Sequence, residues 1–415
     1  MTRVGRASGI VSVEELRTLL ASGLGVEDLD GKRVCLVIPD GTRRCPVPVL
    51  LDAVLGALAG RPSHIEAIVA LGTHAPMDDD ALATLVGATP GRIAERHNGL
   101  EVRNHAWDDP DTYVTLGTIT AERVHELSEW RLAIDVPVRV NRAVVDADLV
   151  VMIGPVLPHE VVGFSGGNKY LFPGLSGPEM IDVTHWLGAL ISSAAIIGTP
   201  GVTPVRALID EAASLVPTAR RALCVVTDVG DSLHAAAYGT PEAAWAEAVE
   251  IAKLTHVKYL DAPVRNVLSI ISDRYDDLWT AAKGFYKVEP VVADGGRVVL
   301  YAPRLHELTP MHPGVEEIGY HTIEYFAAQW DRFAHLPWGE LAHSTHLRGA
   351  GTWDPFAGEQ PRVSVTLASG VSEARTRAVN LDWADPASID VAAYADDPDW
   401  LVVPDAGEVL YRLRS

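Results

Sequence analysis

The chain has 415 residues, 48% of them hydrophobic and 21% charged, a globular balance far from disordered, collagenous or coiled-coil compositions. Its 34 basic and 55 acidic residues leave a formal charge of -21, so a polyanion such as DNA or a phospholipid surface is repelled, and an anionic substrate requires a local cluster of Arg, Lys and His. Three cysteines without a CxxC pair, Cys35, Cys45 and Cys224, speak against a disulfide framework or a structural zinc site and suit a reducing compartment.

At roughly 100–200 residues per domain this length predicts two or three domains, with a small-molecule site in the cleft between them. The start has no uninterrupted apolar run, and no later stretch reaches the ~18–20 apolar residues of a membrane span, so a cytoplasmic protein is expected. In chain order, short runs rich in Val, Ile and Leu at 33–39, 64–71 and 147–153 are each followed by a helical pattern, at 46–60, 78–87 and about 178–195. Runs of this kind predict a parallel sheet buried on both faces. Two more pairs follow, 221–227 with 241–254 and 265–272 with about 276–287. The stretch 256–264 breaks the helical period and carries a proline, which places a domain boundary there. Strand-like runs at 296–301, 362–367 and 400–403, with a helical 322–332, complete the chain. The expectation is two α/β domains with largely parallel sheets, residues 1–260 and 265–415, and the active site in the interdomain cleft.

The densest chemistry lies in HEVVGFSGGNK, 159–169, directly after a buried strand, where ligands of open parallel sheets sit. Ser165, Gly166 and Gly167 can aim N–H groups at an anion beside Lys169; the alternative is an ordinary turn with a solvated lysine. His185 opens an apolar helix beyond a second glycine-bearing loop, where a structural role competes with metal ligation. Asp40, Thr42 and Arg43 end the first strand, and Arg43 offers a planar fork for a carboxylate. Gly72-Thr73-His74 ends the next strand. Two histidines, an arginine and a lysine from three strand ends describe a site for an anionic substrate that undergoes proton transfer.

In order and spacing these residues resemble the nickel-pincer lactate racemases: Asp-x-Thr-Arg at Asp40–Arg43, Gly-Thr-His ending at His74, His159 followed ten residues later by Lys169, then His185. The resemblance implies a pyridinium-3-thioamide-5-thiocarboxylic acid mononucleotide carrying nickel, covalently attached to Lys169, with His185 as protein ligand of a square-planar metal. It further implies supply of that cofactor by biosynthetic proteins of the host. Ser165, Gly166 and Gly167 would neighbour its phosphate, and Asp40 would orient the surrounding groups. His74 and His159 would exchange the 2-hydroxyl proton while the C2 hydride passes to the cofactor, leaving a planar 2-keto acid, with Arg43 on the carboxylate. Oligomeric state is not implied.

Segment 273–285 matches the family's Tyr-Gln-x-x-Lys element only in part: Lys283 agrees, while Trp279 and Thr280 replace tyrosine and glutamine. With Arg274 and Asp276 nearby, this predicts a substrate other than lactate, such as a larger or polyhydroxylated, aldonate-like acid undergoing C2 epimerisation. Lactate racemase proper and a non-catalytic nickel-cofactor-binding protein are the alternatives; a nicotinamide dehydrogenase is disfavoured because no GxGxxG follows an early strand. His306, His312, His321, His335, His343 and His346 have no accompanying Cys or HExxH pattern and are expected at the surface or an interface. The Asp runs at 78–80 and 395–399 read as a helix start and a solvated loop.

Overall fold

The computed structural model describes residues 2–5, 9–58, 60–72, 74–228 and 232–414. Thr73, part of the Gly-Thr-His motif, lies outside the described residues. The chain forms two units. The first holds residues up to Pro158, Phe164–Thr184 and Pro200–Thr255; the second holds His159–Gly163, His185–Thr199 and His256–Ser415. The main boundary falls at the start of the expected 256–264 connection. The expectation of two continuous blocks, 1–260 and 265–415, is corrected: two short segments, one with His159 and one with His185, pack with the second unit.

The first unit is built on a seven-stranded sheet in the order Thr2–Gly5, Leu233–Gly239, Ala219–Thr227, Leu149–Pro155, Arg33–Ile38, His64–Val69, Glu101–Asn104. The five strands from Ala219–Thr227 to Glu101–Asn104 are parallel, and Leu233–Gly239 runs antiparallel to both its neighbours. Strands buried on both faces need the continuous apolar runs seen in Arg33–Ile38 and Leu149–Pro155, whose residues after Arg33 are all buried. Helix Val13–Leu24 starts with a capping box between Ser12 and Glu15 and buries Leu16, Leu19, Leu20 and Leu24 beside Leu50, Leu51 and Val54 of helix Val47–Leu58. Cys35 and Cys224 lie inside the sheet, and burial drives both thiols strongly upward in pKa, whereas Cys45 is half-buried.

From Arg33–Ile38 the chain builds outward through His64–Val69 to Glu101–Asn104, while Leu149–Pro155 begins the other half. The order therefore reverses between Arg33–Ile38 and Leu149–Pro155. Loops leaving the carboxyl ends of these two neighbours diverge and open a crevice, the usual ligand position in doubly wound sheets.

The second unit has a five-stranded, wholly parallel sheet in the order Asp382–Trp383, Val363–Ser369, Val292–Ala302, Val264–Ile271, Trp400–Ala406. Its core gathers Val267, Val298, Leu300, Val365 and Leu367 with Phe285 and Tyr320. Several predicted helices are shorter or broken. The 178–195 pattern is Pro178–Ile191 followed by Ser193–Ile196, interrupted where Ser192 adopts φ +79°. Pattern 276–287 is two short helices, Leu278–Ala281 and Lys283–Tyr286, and 322–332 divides into Ile323–Ala328 and Trp330–Phe333. Among the described residues no helix is long and apolar enough to cross a membrane.

Candidate active site

Within the first unit, the turn after Arg33–Ile38 brings Asp40, Thr42 and His74 into one hydrogen-bonded group. Thr42 donates its N–H and hydroxyl to Asp40 Oδ1, at 3.1 and 2.6 Å, and Asp40 Oδ2 bonds His74 Nδ1. Burial alone would raise the Asp40 carboxyl, but the charge and hydrogen bond of His74, with Arg43 and Thr42, more than offset it and hold the carboxyl well below the usual range. An ionised carboxylate only accepts, so the bond directs a His74 ring proton to Nδ1 and leaves Nε2 as the ring atom that can exchange a proton with a reacting group.

The loop after Leu149–Pro155 runs to a 3-10 turn, Gly167–Tyr170, that contains Lys169. The Tyr170 hydroxyl occupies the space beside Gly154 where a Cβ would otherwise sit. Desolvation raises this hydroxyl far above its ordinary pKa, and Cys45, Arg43, Cys224 and Asp40 all act on it electrostatically. Lys169, Asp40, Arg43 and His74 thus belong to loops at the carboxyl ends of adjacent strands.

The Ser-Gly-Gly segment differs from the anion cradle expected of it. Ser165 N–H donates to Leu157 O at 2.8 Å and its hydroxyl to Pro155 O at 3.0 Å, so neither donor is left for a phosphate. Gly166 and Gly167 adopt φ +88° and +61°, and a Cβ on them would lie 2.7 Å from Val156 Cγ2 and 3.1 Å from Trp245 Cβ. Close packing accounts for both glycines.

The second unit carries His159, His185, Trp279, Thr280 and Lys283. His159 is buried; its Nδ1 accepts the Val161 N–H at 3.2 Å, with Glu160 Oε2 3.4 Å away. With Nδ1 engaged by the Val161 amide, Nε2 is the ring atom of His159 left to exchange a proton. His185 is half-buried, and the next residue, Trp186, stacks on Trp330 with ring centres 4.9 Å apart. Thr280 donates its hydroxyl to Asp277 Oδ1 at 2.7 Å, and its N–H meets the same oxygen. Lys283 Nζ lies 4.8 Å from the centre of the Tyr275 ring, and Arg274 and Asp276 are exposed. Trp279 is clamped between two imidazoles, His312 at 3.8 Å and His343 at 3.7 Å between ring centres.

The surface expectation for the late histidines is corrected for two of them. His306 and His335 are exposed, whereas His343 and His346 are buried, with their Nδ1 atoms 3.2 Å apart. Burial pushes both imidazoles below their ordinary pKa, His343 strongly so, and His343 senses His346, His312, Glu160 and His185 electrostatically. His343 is therefore a neighbour of two candidate site positions that spacing alone did not connect to it.

Residues 25–198 match the lactate racemase N-terminal domain. Over this stretch the chain is similar to the lactate racemase family. Lactate racemase from Thermoanaerobacterium thermosaccharolyticum is 22% identical over 283 residues, covering 65% of this chain and 60% of that protein. Lactate racemase from Lactiplantibacillus plantarum is 23% identical over 274 residues, covering 65% and 59%. The sequence matches thus span under two thirds of these curated relatives. The fold likeness reaches further: the lactate racemase apoprotein from T. thermosaccharolyticum superposes with a TM-score of 0.73 at 17% identity, covering 98% of this chain and 94% of that one. A crystal structure of a Thermotoga maritima protein gives 0.86 at 29% identity, covering 97% and 99%. The two-unit, mostly parallel α/β architecture is that of the lactate racemase apoprotein.

Proposed function

We propose that this protein is a nickel-pincer-dependent racemase or epimerase that inverts C2 of a 2-hydroxy acid. The observation that carries the reading is the engaged Nδ1 of both histidines: His74 Nδ1 is bonded to ionised Asp40 and His159 Nδ1 to the Val161 amide, which leaves Nε2 of each to exchange a proton. Inversion needs one group to take the 2-hydroxyl proton and another, of opposite protonation, to serve the other stereoisomer. Arg43, whose charge acts on both Asp40 and Tyr170, is suited to the substrate carboxylate.

The residues fit the cofactor. Among the described residues no three His, Cys, Asp or Glu side chains converge to hold a metal ion. A nickel that brings three of its own four ligands needs one from the protein, and His185 provides an imidazole of the right kind. Lys169 provides the primary amine for covalent attachment. The bound group would supply a transient acceptor for the hydride of C2.

For the substrate we infer a larger, aldonate-like acid. Thr280 turns its hydroxyl back onto Asp277, so position 280 extends no long polar group, and Trp279 is held by stacking. The test is protein produced in a cofactor-making host, measured by intact mass and by C2 inversion across a panel of 2-hydroxy acids. Added mass in the wild type and none in Lys169→Ala is expected, with inversion best on polyhydroxylated acids. His74→Ala and His159→Ala are expected to keep the added mass and lose about 10²- to 10⁴-fold in rate. Full activity in either histidine variant would overturn the acid-base assignment, and D- and L-lactate as the best pair would overturn the substrate class.

A further inference from the structure

Behind the turn that carries Lys169 lies a polar network no part of the proposed chemistry uses. Arg206, on helix Pro204–Ser214, is 1% exposed. Its Nη1 and Nη2 donate to the carbonyls of Gly166 and Phe164 at 3.0 and 2.6 Å, and its guanidinium lies 4.4 Å from the centre of the Trp245 ring. Trp245 in turn donates Nε1–H to Ser165 O at 3.0 Å. Three successive carbonyls of the loop, at 164, 165 and 166, are thus held by two side chains from separate helices.

Asn168, also 1% exposed, is held at both ends of its amide. Its Nδ2 donates to Asp210 Oδ1 at 2.9 Å and Glu242 Oε1 at 2.7 Å, and its Oδ1 accepts from Arg220 Nη1 at 3.1 Å. The Asn168 carbonyl accepts the N–H groups of Leu171 and Phe172. On the other flank, Tyr170 is packed against Gly154.

A buried guanidinium and a doubly anchored amide cost desolvation, and a plain turn between a strand and a helix has no need of them. We infer that Asn168 and Arg206 are positioning residues that fix the backbone of Lys169 so that its amine meets the cofactor in one geometry. This rests on the cofactor reading above. Attachment of a bulky nucleotide to one amine is sensitive to placement at the ångström level, because reactive geometry contributes a large share of such rates.

The experiment uses the full chain, wild type and two variants, Asn168→Ala and Arg206→Lys, produced in a host that makes the cofactor. Three readouts are taken: cooperative thermal unfolding, amide hydrogen exchange over 164–172, and intact mass. A folded Asn168→Ala protein with faster exchange in this segment and a loaded fraction lowered about tenfold or more is expected. Arg206→Lys, which keeps the charge but loses the planar fork, is expected to fall between it and wild type. Should Asn168→Ala fail to fold cooperatively, Arg206→Lys carries the same comparison. Loaded wild type with an equally loaded, folded variant overturns the positioning role alone, as does unchanged exchange. Wild type without added mass overturns the cofactor reading and the positioning role with it.

Discussion

Asp40 and His74 form a carboxylate–imidazole pair at a strand-end turn, the pair proposed above to exchange the substrate proton. Asn at position 40 keeps the size and loses the charge, so the His74 proton is no longer directed to Nδ1. Asp40→Asn is expected to lower the inversion rate about 10²- to 10⁴-fold, with cofactor mass unchanged. The same substitution tests a stability effect. Because the folded carboxyl is depressed, its stabilising contribution is fully present above the ordinary value near 4 and is lost only as pH falls towards the folded value. Urea unfolding is therefore expected to show a deficit for Asp40→Asn at pH 7 that narrows below about pH 4; a constant deficit would contradict the ion pair. Asp40, Arg43 and His74 stand out in the sequence because each closely follows an apolar run, and the structure joins Asp40, Thr42 and His74 by hydrogen bonds. His343 and His346 were not, because a histidine reads alike in core and loop until its neighbours are known. Arg206 went unread, because nothing local to its helix marks it as buried.

Whether an element appears at all was readable from its apolar run, and where it ends was set by particular residues. Strands Arg33–Ile38, His64–Val69 and Leu149–Pro155 fall within two residues of their predicted positions. The antiparallel pair Tyr113–Ile119 and Val136–Asn141 and the strand Leu233–Gly239 went unread, because their apolar residues are interleaved with polar, glycine and alanine positions that lack a clear period. The Ser-Gly-Gly loop illustrates the same limit: it suggested an anion cradle, and tight packing explains it. Gly166→Ala is accordingly expected to destabilise the fold by about 1–3 kcal/mol, since an L-residue at φ +88° is strained and the new Cβ meets Val156. Chemical denaturation measures this; a neutral result would show that the loop relaxes at no cost.

At the scale of the whole molecule, the two units and their parallel sheets were legible from runs alternating with helices, and the return of 159–163 and 185–199 to the second unit was not, since contact between distant segments leaves no local pattern. Several buried histidines give the molecule a pH response. Burial lowers His105 to about 4, and His343 and His346 are lowered by the same cause. As pH drops below about 6.5 the unfolded chain binds protons that these folded imidazoles refuse, so stability should decline from there towards pH 4. His105→Asn is expected to shallow that decline in denaturation midpoints; an identical slope would show that His105 takes no part.

The sheet also sorts the three thiols. Cys35 and Cys224 are sealed within it, while Cys45 is half-buried in the loop before helix Val47–Leu58, two residues beyond Arg43. A maleimide fluorophore should therefore attach to the native protein at one position and to the denatured protein at three, giving an optical reporter beside Arg43 without any engineered cysteine.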